Sequence, residues 1–386
     1  MINVFQPSLG EEELAAVAEV FDSNWLGHGP RTRDFEAAFA GHIGVPPDNV
    51  VFISSATDGL FLATELLGCG PQDDVVLPSI SFVGAANAVA AAGARPVFCD
   101  VDPHTLNPSV EDVERSLTPR TKAVLPLHYG GYPGAIDEIA LLCRERGITL
   151  IEDAACAVTS AIDGRACGTF GDLAVWSFDA MKILVTGDGG MLYARDPDLA
   201  RRVRALAYHG LDQFSGRSRS AKVSHRWWEL NVRDFGHRMI GNDLTAAIGG
   251  VQLRRLPEFQ RRRRAAVEAY DSLLAGIPGV RLPPRLPAGH TTSYYFYWVQ
   301  LPPAVRDRVA ADLLSRGVYT TFRYPPLHKV PAYRAGAELP GAEQAAQSTL
   351  LLPVHQSLDD ADVRTVATEF RDAVERAATT AHAKHR

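Results

Sequence analysis

The chain predicts an α/β fold, with a large domain on a mostly parallel sheet and a smaller C-terminal α/β domain. Three observations predict it. Between Val50 and Glu152, short apolar segments alternate with amphipathic helical ones, the pattern of a parallel sheet covered on both faces. At 386 residues the chain exceeds the size at which one core usually stops growing. Pro278, Pro283, Pro284 and Pro287 mark a linker, after which strand, helix, strand and helix follow again. The expected domains are 1–275 and 276–386.

In chain order, Glu11–Phe21 reads as a helix with acidic residues in its first turn, where the helix dipole favours them, and Thr32–Ala40 as another. The strand Val50–Ile53 runs into the helix Asp58–Leu67. Strand Val75–Pro78, helix Gly84–Ala92, strand Pro96–Cys99 and helix Ser109–Leu117 come next. Strand Ala123–Leu127, helix Ala135–Arg146 and strand Thr149–Glu152 complete the alternation. Ala174–Phe178 reads as a buried strand, and Gly189–Ala194 as a second one entered through glycines. A helix at Asp198–Leu206 precedes a polar, basic stretch, Asp212–Arg226, and a long helical region, Asn242–Leu274. The C-terminal part offers an aromatic β-rich run, Tyr294–Leu301, helix Val305–Arg316, strand Val318–Phe322 and helix Asp359–Ala377. A weakly structured tail follows Ala378, and no internal repeat is present.

Hydrophobic residues make up 46% and charged residues 22% of the chain, which describes an ordinary soluble globular protein. A net charge of −6 gives no general reason to expect nucleic-acid or anionic-membrane binding. The run Arg261–Arg264 is then a solvated helix face. Five cysteines, an odd number without metal-type spacing, predict a reducing compartment rather than a disulfide framework. The first residues form neither a basic n-region nor an apolar h-region. The weakly polar run Phe82–Phe98, broken by Asn87 and Arg95, reads as a buried helix and not a membrane span. A cytoplasmic protein is expected.

Lys182 lies in a turn between two core strands, where a rigid scaffold can aim a side chain. Asp153 ends an apolar strand upstream. A lysine paired with a carboxylate at a strand's carboxyl end is what pyridoxal phosphate (PLP) requires. The lysine forms a Schiff base, and the carboxylate keeps the pyridine nitrogen protonated. Ser54–Gly59, between strand and helix, reads either as a phosphate cradle built on the N–H groups of Ala56 and Thr57 or as a plain helix cap. Phe82 suits a ring-stacking role or a core position, and Ser177 a ligand or a satisfied core hydroxyl. Asp153 would equally serve as an N-cap, and Lys182 as an exposed turn lysine. Their order along the chain is the stronger signal.

That order resembles the DegT/DnrJ/EryC1/StrS family of PLP-dependent aminotransferases, which act on sugars and cyclitols and have the aspartate-aminotransferase fold. The resemblance runs through Asn24–Pro30, Ser55-Ala56-Thr57, Pro78–Asn87, Pro126–Gly131, Ile151–Ala155, Gly168–Asp172, Tyr324–His328 and Leu352–Leu358. It implies that Lys182 carries the cofactor, Asp153 binds the pyridinium nitrogen, Phe82 stacks on the ring, and Ala56, Thr57 and Ser177 hold the phosphate. Two substitutions depart from the pattern. Cys156 stands where Gln or His usually contacts the ring oxygen, and a thiol is a weak donor. Ala56 replaces a glycine, which requires a negative φ. Gly236–Asp243 stands where the family reaches the neighbouring subunit's cofactor phosphate, so Arg238 or Asn242 is expected to do so across a two-fold homodimer.

The resemblance implies transfer of an amino group, from glutamate or glutamine, to a keto group of a nucleotide-activated deoxysugar or of a keto-cyclitol. Related sugar dehydratases carry His at the lysine position, and here Lys182 stands there. A non-catalytic PLP-binding regulator would need a DNA-reading module, and none is appended. The stretch Arg217, Arg219, Lys222, His225 and Arg226 reads either as a solvated loop or as a site for a substrate diphosphate.

Overall fold

The computed structural model describes residues 1–211, 226, 228–333 and 335–383. Its centre is a seven-stranded sheet of β1 (Val50–Ile53), β2 (Asp74–Pro78), β3 (Arg95–Cys99), β4 (Thr121–Val124), β5 (Thr149–Asp153), β8 (Leu173–Ser177) and β9 (Gly190–Ala194). The strand order is β1-β9-β8-β5-β4-β2-β3. Six strands run parallel, and β9 is antiparallel to both neighbours. The short strands β6 (Ala161–Ile162) and β7 (Arg165–Ala166) form a hairpin outside this sheet, and β10 (His290–Thr291) pairs with β6. Every residue of β1, β2 and β9 is buried, as strands covered on both faces require.

Helices α3 (Ala56–Leu66), α4 (Val83–Ala91), α5 (Val110–Ser116) and α6 (Ile136–Arg146) follow β1 to β4 in turn. Each boundary has a local cause. Ser55 Oγ accepts the Asp58 N–H at the start of α3, and Ser109 with Asp112 builds a capping box for α5. Gly147, at φ 64°, ends α6 in the left-handed conformation. At the amino ends of the strands the buried Asp74 carboxylate takes two bonds from Arg95, at 2.9 and 2.7 Å, and one from Arg120 at 3.2 Å. This bidentate pair pins β2, β3 and β4 in register.

A second core is formed by β11 (Tyr297–Gln300), β12 (Thr349–Leu352), helix Pro303–Ser315 and the last helix, Asp360–Ala383. Strands β11 and β12 pair antiparallel. Ala266, Val267 and Tyr270, from the long helix Asp243–Leu273, pack into this core with Leu274. The helix thereby ties the two cores together.

Several expectations are corrected. Val318–Phe322 is not a strand; it makes single bridges, Ile2 to Val318 and Thr321 to Leu351. Its place in the small sheet is taken by β12, preceded by helix Pro340–Ser348. The run Phe82–Phe98 is not one helix but α4 followed by β3. Within Arg261–Arg264, Arg262 and Arg264 pair with Glu258 and Glu268 one turn away, whereas Arg263 is buried. Arg263 donates to the carbonyls of Tyr294 and Tyr295 and to Gln356 Oε1, all at 2.9–3.0 Å. Arg217, Arg219, Lys222 and His225 lie outside the described residues, and Arg226 pairs with Glu229 at 2.6 Å.

Candidate active site

A cavity of about 280 Å³ opens at the carboxyl ends of the parallel strands, where ligands of open α/β sheets bind. Strands β1, β2, β5 and β8 each deliver a part of it. Ala56 and Thr57 begin the helix that β1 feeds, and Phe82 follows β2. Asp153 ends β5, Cys156 lies three residues on, and Ser177 ends β8. Lys182 comes from the turn between β8 and β9. Seven of the nine expected site residues therefore meet in one cavity: Ala56, Thr57, Phe82, Asp153, Cys156, Ser177 and Lys182.

The turn that aims Lys182 is closed by its own N–H donating to the Asp179 carbonyl at 2.9 Å, while the Asp179 carboxylate accepts the Met181 N–H. Lys182 Nζ stands 3.9 Å from Cys156 Sγ and 4.7 Å above the Tyr295 ring. Burial is the largest influence on its ammonium and pulls its pKa down, but Cys156, Tyr324, Asp153 and Asp179 together outweigh it and the net shift is upward. Asp153 is 3% exposed, and burial raises its pKa against the opposing pull of the Ala155 N–H, Lys182 and His128. The Cys156 thiol is pushed up to about 11 by burial, so it is protonated at neutral pH.

Ser55 carries the capping bond of α3, so Ala56 and Thr57 are left to open the helix with N–H groups that have no intrahelical partner. Ala56 is not among the residues with positive φ, so its side chain is accommodated. A Cβ on Gly190 would lie 2.6 Å from the Ala56 nitrogen, so β9 needs glycine to pass beside this cradle. Phe82 is no core residue; it is 46% exposed, with its ring 5.6 Å from Tyr324. Ser177 Oγ, half-buried, accepts the Asp179 N–H at 3.4 Å.

Arg238 and Asn242 do not line the cavity of their own chain. Arg238 is exposed and lies 4.8 Å over the Tyr208 ring, and Asn242 Oδ1 caps the long helix by accepting the Thr245 N–H. Among the lining residues that went unassigned in the sequence are Tyr295, Arg323 and Tyr324, from the C-terminal part of the chain. Tyr295 and Tyr324 pack against the core of the large sheet. His328 Nδ1 bonds Ser79 Oγ at 2.6 Å and the Leu327 N–H donates to the Ser79 carbonyl, clamping Tyr324–His328 to the turn after β2. For Arg323 and Tyr324 the motif Tyr324-Pro325-Pro326-Leu327-His328 was the available signal.

Residues 7–371 match the model of the DegT/DnrJ/EryC1/StrS aminotransferase family. The chain belongs to that family. It is a PLP-dependent aminotransferase of the aspartate-aminotransferase fold. It is 67% identical, over 97% of both chains, to dTDP-4-dehydro-2,3,6-trideoxy-D-glucose 4-aminotransferase of Saccharopolyspora spinosa. It is 34% identical to the spore coat polysaccharide biosynthesis protein SpsC of Bacillus subtilis, over 95% of this chain and 96% of that one. Among solved structures, the aminotransferase TlmJ from Streptoalloteichus hindustanus is 63% identical, with a TM-score of 0.93 over 97% of this chain and 99% of that one. The sugar aminotransferase CalS13 from Micromonospora echinospora is 30% identical, with a TM-score of 0.87 over 96% and 100%.

The cavity fits the cofactor on its own chemistry. A buried carboxylate needs a facing cation, and a pyridinium N–H supplies one. The exposed Phe82 ring offers an apolar face to a flat heterocycle. The start of α3, kept open by Gly190, is an anion site by its dipole and its N–H groups. No helix among the described residues is long and apolar enough to cross a membrane.

Proposed function

We propose that the enzyme aminates the keto group of a nucleotide-activated deoxysugar, a dTDP-linked 4-keto-2,3,6-trideoxyhexose, with glutamate as amino donor. The observation that carries this reading is the 67% identity over 97% of both chains to the relative named for that reaction. In outline, the donor's amine and the sugar's keto oxygen exchange places in two half-reactions, leaving a 2-oxo acid and an amino sugar.

PLP, when bound, supplies the electron sink for the carbanion formed at the donor's Cα. The protein's residues do the rest. Lys182 holds the cofactor and, once freed, takes a proton from the donor's Cα and in the second half-reaction returns one to the former keto carbon. Asp153 holds the pyridinium proton, Phe82 covers the ring, and Ala56, Thr57 and Ser177 take the phosphate. Cys156, a protonated thiol beside Lys182, offers the ring oxygen a weak donor. Arg238, with Asn242 beside it in sequence, reaches the phosphate of the partner subunit in a homodimer. The unit from 276 onward is the small domain, and it supplies Tyr295, Arg323 and Tyr324 to the cavity. Five buried free cysteines support a reducing, cytoplasmic setting.

The test is incubation of PLP-loaded enzyme with dTDP-4-dehydro-2,3,6-trideoxy-D-glucose and L-glutamate, followed by mass spectrometry. Amino sugar and 2-oxoglutarate are expected in equal amounts. Loaded enzyme that makes neither would overturn the substrate assignment.

A further inference from the structure

We propose that Met181 is a specificity-determining residue: its side chain forms the apolar wall that receives the deoxygenated C2–C3 edge of the sugar and disfavours sugars hydroxylated there. The inference deepens the proposed function and rests on its substrate being a 2,3,6-trideoxy-4-keto sugar.

Among the described residues, two large and exposed apolar side chains line the cavity, Phe82 at 46% and Met181 at 40%. Phe82 covers the cofactor ring in the proposed function, which leaves Met181 without a task. Met181 directly precedes Lys182 in the turn between β8 and β9, and Lys182 is the more buried of the two. A keto carbon that reaches Lys182 therefore brings its neighbouring ring carbons past Met181.

Polar groups around Met181 are engaged in holding it. Its N–H donates to the Asp179 carboxylate at 2.9 Å, and its carbonyl accepts the Tyr295 hydroxyl at 3.5 Å. Its Sδ accepts an Arg323 N–H at 3.4 Å. Backbone and sulfur are thus fixed from three sides, and the turn presents a thioether and its methylenes to the cavity. An exposed apolar surface in a binding cavity gains from being covered by methylenes. A hydroxyl placed against it gives up its water partners and meets a sulfur that is a weak acceptor and already engaged. A fully hydroxylated hexose would bring two hydroxyls on its C2–C3 edge, whereas the trideoxy sugar brings two methylenes. The wall matches the second.

The experiment measures kcat/KM of PLP-loaded enzyme, at saturating L-glutamate, for two sugars. One is dTDP-4-dehydro-2,3,6-trideoxy-D-glucose, and the other is dTDP-4-dehydro-6-deoxy-D-glucose, which keeps the hydroxyls at C2 and C3. The native enzyme should favour the trideoxy sugar about a hundredfold, the range over which an apolar pocket rejects an added hydroxyl. Met181→Gln, similar in size but carrying an amide, should shrink that ratio about tenfold, losing on the trideoxy sugar and gaining on the hydroxylated one. Met181→Thr, a second polar variant, should move the ratio in the same direction if Met181→Gln fails to load cofactor. Met181→Leu, which stays apolar, should retain the native preference. Comparable kcat/KM for both sugars in the native enzyme overturns the inference and leaves amination of a nucleotide sugar standing. An equal loss on both sugars in the polar variants, or a Met181→Leu shift as large as theirs, makes Met181 a structural residue and overturns it too. Native enzyme that aminates neither sugar overturns the substrate reading itself, and the inference with it, before any variant is made.

Discussion

Asp153 has 3% of its surface exposed, an environment in which a carboxylate is stable as an anion when a cation faces it. Asp153→Asn should keep the fold, because the amide oxygen can still accept the Ala155 N–H. Removing one charge of a buried pair costs about 3–5 kcal/mol, so turnover should fall roughly 10²- to 10⁴-fold. Steady-state kinetics on cofactor-loaded variant reads this, and near-native turnover would mean that another group meets the ring nitrogen. Asp153 was legible because it ends an apolar strand, and Lys182 because it follows in order, in a turn between two core strands. Tyr295, Arg323 and Tyr324 were not legible in this way. They reach the cavity on distant segments that pack onto the core of the large sheet, through contacts such as the His328–Ser79 bond, which no local period encodes.

Among the elements, the β1–β5 alternation could be read because buried parallel strands are continuous apolar runs bounded by caps. The small sheet could not. Val318–Phe322 has the β-branched and aromatic content of a strand, yet it bridges β12 only at Thr321–Leu351 and meets Ile2 at its other end, whereas β12 pairs with β11 along four residues. The segment leaving β12 carries a titrating group with a predictable effect. His355, 4% exposed, has its pKa lowered to about 4, first by burial and then by the nearby Arg263 charge, with the Asn3 backbone and Asp362 opposing. A histidine with an ordinary value of 6.5 when unfolded then binds more protons unfolded than folded. Stability should therefore be intact above pH 6.5 and fall as pH drops toward 4, by up to about 3 kcal/mol from this group. His28, lowered to about 4 by burial and by Arg204, adds a second contribution of the same sign. Urea unfolding at several pH values should show His355→Phe with a shallower acid limb than the native chain. An unchanged limb would place the pH dependence elsewhere.

For the molecule as a whole, the proposed assembly has to account for surface that a single chain leaves open. Leu230, Val232 and Phe235 are 70%, 60% and 94% exposed, and they lie immediately before Arg238. An apolar segment this exposed favours burial against another surface, and a two-fold dimer is the commonest way to provide one. If Arg238 reaches the partner's cofactor phosphate, Arg238→Ala removes a charge-assisted contact of about 1.5–3 kcal/mol and should weaken PLP retention without altering the monomer fold. Complementation is the sharper measurement. A Lys182→Ala subunit supplies an intact Arg238, and an Arg238→Ala subunit supplies an intact Lys182. Their mixed dimer holds one complete site and one doubly damaged site. With random exchange half of the dimers are mixed, so about a quarter of the native sites should return, assayed at a PLP concentration where Arg238→Ala alone is mostly unloaded. Subunit exchange proven by mass spectrometry, with activity no higher than that of the two parents, would mean that each chain builds its site alone.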